Sequence, residues 1–459
     1  MAIDKSMMEF LHKLKNKFST ILTRGEKVIE NLATLLQRSV TDKVALEDIQ
    51  SEITNNRTLK RRYGTTQAAE MVKVSHSLIY AAEQDGRLPE PIMRTDTKKA
   101  TRAGYTLNDI NRMRHYFGTN PTKPPKSLAA VVGILNLKGG CQKTTHCQLF
   151  SQYLAIQGYK VLVIDTDPQG SLSLMFGKRP DADVSFENTI GPYLLEADEY
   201  LQEHGFEPGA SENLEYAVQS TYWSNIDIIP ACLANLNIDT QMTEIMDDAS
   251  LSWTYKVTRL RDGLASLRDN YDFILIDGTP SLNFSTLNVI SACDMVYVPT
   301  PAAYADFSST IAFTGLIETL VNGYIEQGEY PNIPDVRYFI AKFSKSSSSQ
   351  FWSTIIRKVF NLEKGDVLDN ESYHTDEIGK ASTNGSSIYE VSPSEADNRQ
   401  RLKKDTEMFD NLFGEMHDKI WEFHWGELPR KNFVDKVDDI KLQSDKIQKE
   451  LDDMIGETA

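Results

Sequence analysis

Residues 133–155 read GILNLKGGCQKTTHCQLFSQYLA, and the order of residue types in this stretch decides the fold. An apolar strand runs directly into Lys138-Gly139-Gly140, then Cys141-Gln142-Lys143-Thr144-Thr145, then an amphipathic helix. A tight turn without bulky side chains aims successive backbone N–H groups at phosphate oxygens, and the helix N-terminus adds its partial positive charge. In this arrangement Lys143 reaches the β- and γ-phosphates and the Thr144 hydroxyl meets Mg²⁺. The strict GxxxxGK[ST] pattern is not met, because Leu137 and Gln142 occupy its two glycine positions.

Working outward, short continuous apolar runs recur at 130–137, 161–164, 226–229, 273–276, 295–298 and 336–340, separated by longer amphipathic segments. Continuous apolar character means strands buried on both faces, so an α/β domain with a mostly parallel sheet is expected. Two of these runs end in acid: Asp165-Thr166-Asp167-Pro168-Gln169-Gly170-Ser171, and Asp277 followed by Gly278-Thr279-Pro280. Ligands bind at the carboxyl ends of parallel strands, which should bring Asp165, Asp167 and Asp277 to the edge that carries the phosphate loop. Carboxylates placed there hold Mg²⁺ waters and orient an attacking water.

The 459 residues carry 49 Lys or Arg against 65 Asp or Glu, a net charge of −16, with 40% hydrophobic residues. This is an ordinary globular composition, and it excludes a wholly disordered or fibrous chain. The longest apolar runs are too short to span a membrane. Cys141, Cys147, Cys232 and Cys293 show neither CxxC spacing nor nearby histidines, which argues against a zinc site or a disulfide framework and for a reducing, cytoplasmic setting.

The charge is unevenly distributed. Residues 60–126 hold 13 Lys or Arg against 6 Asp or Glu, the electrostatic footprint of a phosphate-binding module. Within it, 65–71 reads as a helix, 72–74 as a turn, and 75–83 as a second helix with N-cap chemistry at Ser75 and an apolar face through Leu78, Ile79 and Ala82. A basic stretch with Arg94, Lys98, Lys99 and Arg102 follows. Ser75, His76, Ser77 and Tyr80 are the expected groove-facing residues, with the basic stretch on phosphates.

The expected division is an N-terminal helical arm at 1–58 whose apolar stripe either packs within the chain or forms a dimerisation surface, a basic helix-turn-helix module at 59–120, a linker at 121–128, the α/β phosphate-binding domain at 129–428 and a charged tail at 429–459. The segment 344–425 reads as mostly helical. From 431 to 459 the tail has five Lys against eight Asp or Glu, the wrong sign for an anionic membrane.

These motifs resemble the ParA-type partition ATPases, a branch of the deviant Walker A group that also contains the MinD proteins. The resemblance rests on KGGxxKTT at 138–145, DTDPQGS at 165–171, IIPACLANLN at 228–237, the stretch 273–304 and AKFSKSSSSQFWSTIIRKVF at 341–360. It covers about residues 60–420 and is similar to the long form, in which a winged helix-turn-helix precedes the ATPase. The resemblance implies ATP or ADP and Mg²⁺ as ligands, with Lys138 reaching the partner's phosphates across a dimer. It also implies that Asp167 places the hydrolytic water and that Asp277 is the Walker B carboxylate. Gly139, Gly140, Cys141, Gln142, Lys143, Thr144 and Thr145 would line the nucleotide, and Thr144, Asp165 and Asp277 would face the metal. The implied protein is a nucleoid-associated ATPase with weak hydrolysis stimulated by DNA and a centromere-bound ParB-type partner. Its homodimer would bind nonspecific DNA through Lys345, Arg357 and Lys358, and its winged domain would bind an operator and repress its own synthesis. The alternative is a nucleotide-responsive repressor with little ATPase activity.

Most members of this family have Gly where this chain has Gln142, and frequently Pro-Pro where it has Thr279-Pro280. The first departure is expected to restrict the loop backbone and weaken nucleotide affinity.

Overall fold

The computed structural model describes residues 57–94, 101–180, 182–281, 283–327, 333–375, 386–393 and 396–426. The expected N-terminal arm up to residue 56, Lys98, Lys99 and the charged tail from 429 lie outside the described residues. The described residues from Thr58 onward belong to one compact unit.

Three helices come first: α1 (Thr65–Val72), α2 (His76–Gln84) and α3 (Leu107–Phe117). The turn after α1 pivots on Lys73 in the left-handed region, and Ser75 caps α2 by accepting from the Leu78 N–H at 3.4 Å. Gly64 is the N-cap residue of α1. Antiparallel pairing joins Tyr63 to Tyr105 and Met93 to Arg102, so the chain between α2 and α3 folds back as a narrow hairpin. Ile79 and Ala82 are fully buried as their spacing predicts, but Leu78 is 49% exposed.

Next comes β1 (Ala130–Ile134), followed by α4 (Lys143–Gln157) and β2 (Val161–Asp165). The remaining strands are β3 (Gln219–Ser220), β4 (Ile226–Ile229), β5 (Phe273–Asp277), β6 (Met295–Pro301) and β7 (Asp335–Ala341). Their order in the sheet is β3-β4-β2-β5-β1-β6-β7, and every pairing is parallel except β3 with β4. The short antiparallel β3 left no readable signal in the sequence. Alternate residues of β1 serve two cores: Ala130, Val132 and Ile134 pack with Phe150 and Leu154 of α4, while Val131 faces the opposite layer. That opposite layer contains α5 (Leu236–Asp247), α6 (Trp253–Gly263), α7 (Phe284–Ala292), α8 (Tyr304–Gln327) and α9 (Ser347–Phe360). A final helix, α10 (Arg399–Ile420), buries Phe409, Phe413 and Met416 on the α4 side.

The segment after α9 departs from its helical expectation. Residues 361–375 form an extended strap whose Val367 and Tyr373 bridge Tyr338 and Phe343. β7 is an edge strand, and the strap gives its exposed N–H and C=O groups partners that a helix would not supply.

The stretch 121–128 is pinned rather than a bare linker. Lys123 Nζ donates to the carbonyls of Arg268, Asp269 and Tyr271 at 2.6, 2.9 and 2.7 Å, and its N–H donates to Asp272. Arg114, 2% exposed, adds a second tie: Nε donates to the Met71 carbonyl of α1 and Nη2 to the Ile156 carbonyl of α4. The helical module and the sheet domain therefore share one continuous core.

Candidate functional site

Strand register builds the site. Ile134 and Asp165 both pair with Asp277, so the ends of β1, β5 and β2 stand side by side on one edge of the sheet. The loop from 135 to 142 rises from that edge. Gly139 and Gly140 are exposed, Gly140 has φ +76°, and a Cβ at either would meet nothing within 4 Å. The loop backbone thus stands open to a ligand, which is the use of glycine here.

Asn136 tethers the loop's base. Its Nδ2 donates to the Pro299 carbonyl and the Thr310 hydroxyl at 2.9 and 3.0 Å, and its Oδ1 accepts from the Lys138 N–H at 3.2 Å. The only hint in the sequence is a polar residue inside an apolar run. Lys143 is buried at 7% exposure and its Nζ donates to the Lys138 carbonyl at 3.0 Å, so its ammonium lies folded into the loop. Cys141 is wholly buried and its Sγ donates to that same carbonyl. Lys138 is half-buried at the mouth. Gln142 adopts φ +69° and ψ 29°, the left-handed conformation that a glycine would enter freely.

The two strand-end carboxylates differ. Asp165 accepts from the Ser173 N–H and hydroxyl at 2.8 and 2.7 Å and from the Asp167 N–H at 3.1 Å. Burial nevertheless pushes its pKa up to about 6. Asp277 is fully buried, and neither of its carboxyl oxygens has a hydrogen-bond partner among the described residues. Burial, and then the charge of Asp165, drive its pKa well above the carboxylate range, opposed by the nearby Thr144 hydroxyl and Lys143 ammonium. A buried acceptor with no donor beside a threonine hydroxyl suits a hard cation. Among the described residues no three His, Cys, Asp or Glu side chains gather as a metal cluster. A magnesium ion that takes most of its ligands from phosphates and water fits this set.

Asp167 is half-buried beyond the end of β2, where its Oδ1 accepts from the Gln169 N–H at 3.0 Å. Thr166 fixes the turn by donating through its hydroxyl to the Asp277 carbonyl at 2.7 Å. Ser173 carries the network onward, accepting from the Ala231 N–H at 2.9 Å and so tying the 165–171 motif to the 228–237 motif. Sequence reasoning missed Asn136, Thr166 and Ser173, because each acts through a backbone group that composition does not reveal.

The residues expected on DNA separate into two groups. Ser75, His76 and Ser77 are exposed at the start of α2, and Arg94 is exposed on the hairpin. Arg102 is committed internally: its Nη1 donates to Glu83 at 2.6 Å and to the Tyr105 hydroxyl, and its guanidinium lies 4.1 Å over the Tyr80 ring. Glu83 is buried, so this pair holds the hairpin on α2 rather than offering Arg102 and the Tyr80 face to phosphates. Arg357 is engaged within the fold as well. It donates to the carbonyls of Leu368 and Asp369 at 2.8 and 3.1 Å and pairs with Glu371, so it fastens the strap to α9. Lys345 is exposed just before α9, and Lys358 is half-exposed within it.

A parallel sheet with a Gly-Gly phosphate loop feeding a helix, and acids on the two neighbouring strands, defines a P-loop nucleoside triphosphatase. The AAA domain family matches residues 129–323. Protein SopA of Escherichia coli is 30% identical over 404 residues, spanning 87% of this chain and 99% of its own length. Plasmid partition protein A of Escherichia coli is 24% identical over 271 residues, spanning 58% of this chain and 64% of its own. Among solved structures, one titled Partition Protein superposes with a TM-score of 0.59 at 19% identity, covering 84% of this chain and 98% of its own. The chain belongs to the ParA-type partition ATPases.

Proposed function

We propose that this DNA-partition ATPase binds ATP with Mg²⁺ at the 138–145 loop and uses it to form a dimer that holds nonspecific DNA and segregates a plasmid or chromosome in the nucleoid. The observation that carries this reading is the convergence of the open loop with the donor-free Asp277 carboxylate at adjacent strand ends. Lys143, buried at the loop's base, swings from the Lys138 carbonyl to the β- and γ-phosphates, while the 139–145 backbone N–H groups cradle them. Bound magnesium neutralises phosphate charge. Thr144 and Asp277 would hold its coordination sphere with Asp165 supporting Asp277 across the strand pair, and Lys138 at the loop's mouth reaches the phosphates of a second copy. Asp167, partly exposed above the metal-facing acids, positions the attacking water.

In this proposal Ser75, His76 and Ser77 read an operator, Arg94, Lys98 and Lys99 meet its phosphates, and the bound module represses the protein's own synthesis. Lys345 and Lys358 serve nonspecific DNA. A ParB-type centromere-binding partner stimulates a slow basal hydrolysis. No helix among the described residues is long and apolar enough to cross a membrane. The test is ATP turnover by the full chain alone, with DNA, and with DNA plus a candidate centromere-binding partner. Stepwise stimulation is expected. Turnover that is absent under all three conditions, despite ATP binding, overturns the hydrolytic reading in favour of a nucleotide-responsive repressor.

A further inference from the structure

Gln142 stands one residue before the phosphate-loop helix with φ +69°, a conformation that costs any residue with a Cβ and costs glycine nothing. Something in the fold must hold it there. Its carbonyl oxygen accepts twice: from the backbone N–H of His146 at 2.9 Å, and from the Nδ1 of the same histidine's ring at 2.7 Å. A carbonyl only accepts, so Nδ1 carries the proton, which in the neutral ring leaves Nε2 as the acceptor. Nε2 lies 2.9 Å from the Ser372 hydroxyl, which therefore donates to it.

Ser372 is itself fixed on the strap. Its N–H donates to the Ile340 carbonyl at 2.9 Å, and its carbonyl accepts from the Phe343 N–H at 2.8 Å. The imidazole is fully buried between the sheet and α10, with ring centroids 4.9 Å from Phe339 and 5.8 Å from Phe409.

In a trans peptide the C=O and the following N–H point in opposite directions. Drawing the Gln142 carbonyl down onto His146 therefore aims the Lys143 N–H upward into the loop, where a phosphate would sit. A flipped 142–143 peptide would present a carbonyl oxygen to that phosphate instead.

We propose that His146 is a positioning residue for nucleotide binding, a clamp from the strap's Ser372 to the Gln142 carbonyl that replaces the conformational freedom of the missing glycine. The inference rests on the reading of 138–145 as the nucleotide loop. The dependence is specific: with glycine at 142 the loop needs no clamp.

The experiment is a double-mutant cycle in ATP affinity, by direct titration of the full chain in Mg²⁺, using Gln142→Gly, His146→Leu and the pair. His146→Leu should weaken ATP about tenfold in the parental loop and less than about twofold in the Gln142→Gly background. His146→Asn, which keeps a donor near the Nδ1 position, should recover part of the affinity. Ser372→Ala, a milder change for use should the buried leucine prevent folding, should cost a few-fold in the parent and nothing in the Gln142→Gly background. Melting temperatures serve as the structural control, since a general packing defect lowers them equally in both backgrounds. Equal losses of affinity in the two backgrounds, for either the His146 or the Ser372 variant, would overturn the proposal. Lys143→Ala measured alongside separates the two readings. If it retains parental affinity, the nucleotide-loop reading and the clamp fall together; if it loses affinity while the cycle is additive, only the clamp falls.

Discussion

Asp165 and Asp277 are direct partners across the β2–β5 strand pair, yet the first is held by three donors and the second by none among the described residues. Burial raises the pKa of both carboxyls, the charge of Asp165 adds to the rise at Asp277, and the one without donors carries the larger penalty. Such an arrangement sacrifices stability at a site that a cation completes.

Asp277→Asn should therefore stabilise the nucleotide-free protein at pH 7.5 by about 1–3 kcal/mol, because an amide neither repels Asp165 nor has an ionised form to desolvate. The same change should abolish Mg²⁺-dependent ATP turnover. Denaturant unfolding and an ATPase assay on the same preparation check both parts, and a destabilised variant would contradict the assignment.

The pH dependence has a definite sign. Asp165 titrates near 6 when folded, against an ordinary carboxylate value of about 4, so between roughly pH 4 and 6 the folded chain holds a proton that the unfolded chain has released. This group's contribution to stability thus decreases as pH rises through that window. The stability difference between parent and Asp165→Asn should widen in the variant's favour from pH 5 to pH 7, and saturating Mg²⁺ with ATP should reduce it.

Lys143→Ala should lower ATP affinity by about a hundredfold or more, since its buried ammonium is the loop's charge for the β- and γ-phosphates. Asp167→Ala should leave ATP affinity within about twofold of the parent and remove hydrolysis, as expected of a group that places water. Calorimetric titration paired with phosphate release distinguishes the two variants.

Exposed and committed cations should behave differently on DNA. Lys345→Glu should weaken ATP-dependent binding to random duplexes and flatten its salt dependence by about one to two units of slope, with the melting temperature unchanged. Arg357→Glu should instead cost about 2–4 kcal/mol of stability, because it withdraws donors from two strap carbonyls and faces Glu371. A fully stable Arg357→Glu variant would return that residue to the DNA surface.

Arg114 joins the helical module to the phosphate-loop helix, and each of its three nitrogens donates to a protein acceptor. Arg114→Ala should destabilise the whole chain by about 3 kcal/mol and broaden its thermal transition as the module uncouples from the sheet domain. An unchanged single transition would show that the shared apolar core alone holds the two together.

Much of this was legible before any fold was known. The apolar runs at 161–164, 226–229 and 273–276 became strands almost to the residue, because a strand buried on both faces must be continuously apolar. The run at 130–137 was read too long: β1 ends at Ile134, where the chain leaves the sheet to become the loop. The strap at 361–375 interrupts the mostly helical segment 344–425, and its reason for being extended, the open edge of β7, lies in the sheet and not in its own residues. Arg102 and Arg357 looked like surface cations since nothing local names Glu83 or the strap carbonyls as their partners.

The sequence by itself determined the strand-loop-helix unit, the acidic strand ends and the basic module, since each is a local pattern imposed by backbone geometry and solvation. Only the tertiary structure decided how a glutamine serves where a glycine is usual. The bond between His146 and Ser372 spans 226 residues, and the one from His146 to Gln142 ends on a backbone carbonyl. Partners so distant, acting through groups that every residue carries, leave no periodicity or composition to read. They exist only once β7 and its strap are folded against the phosphate-loop helix.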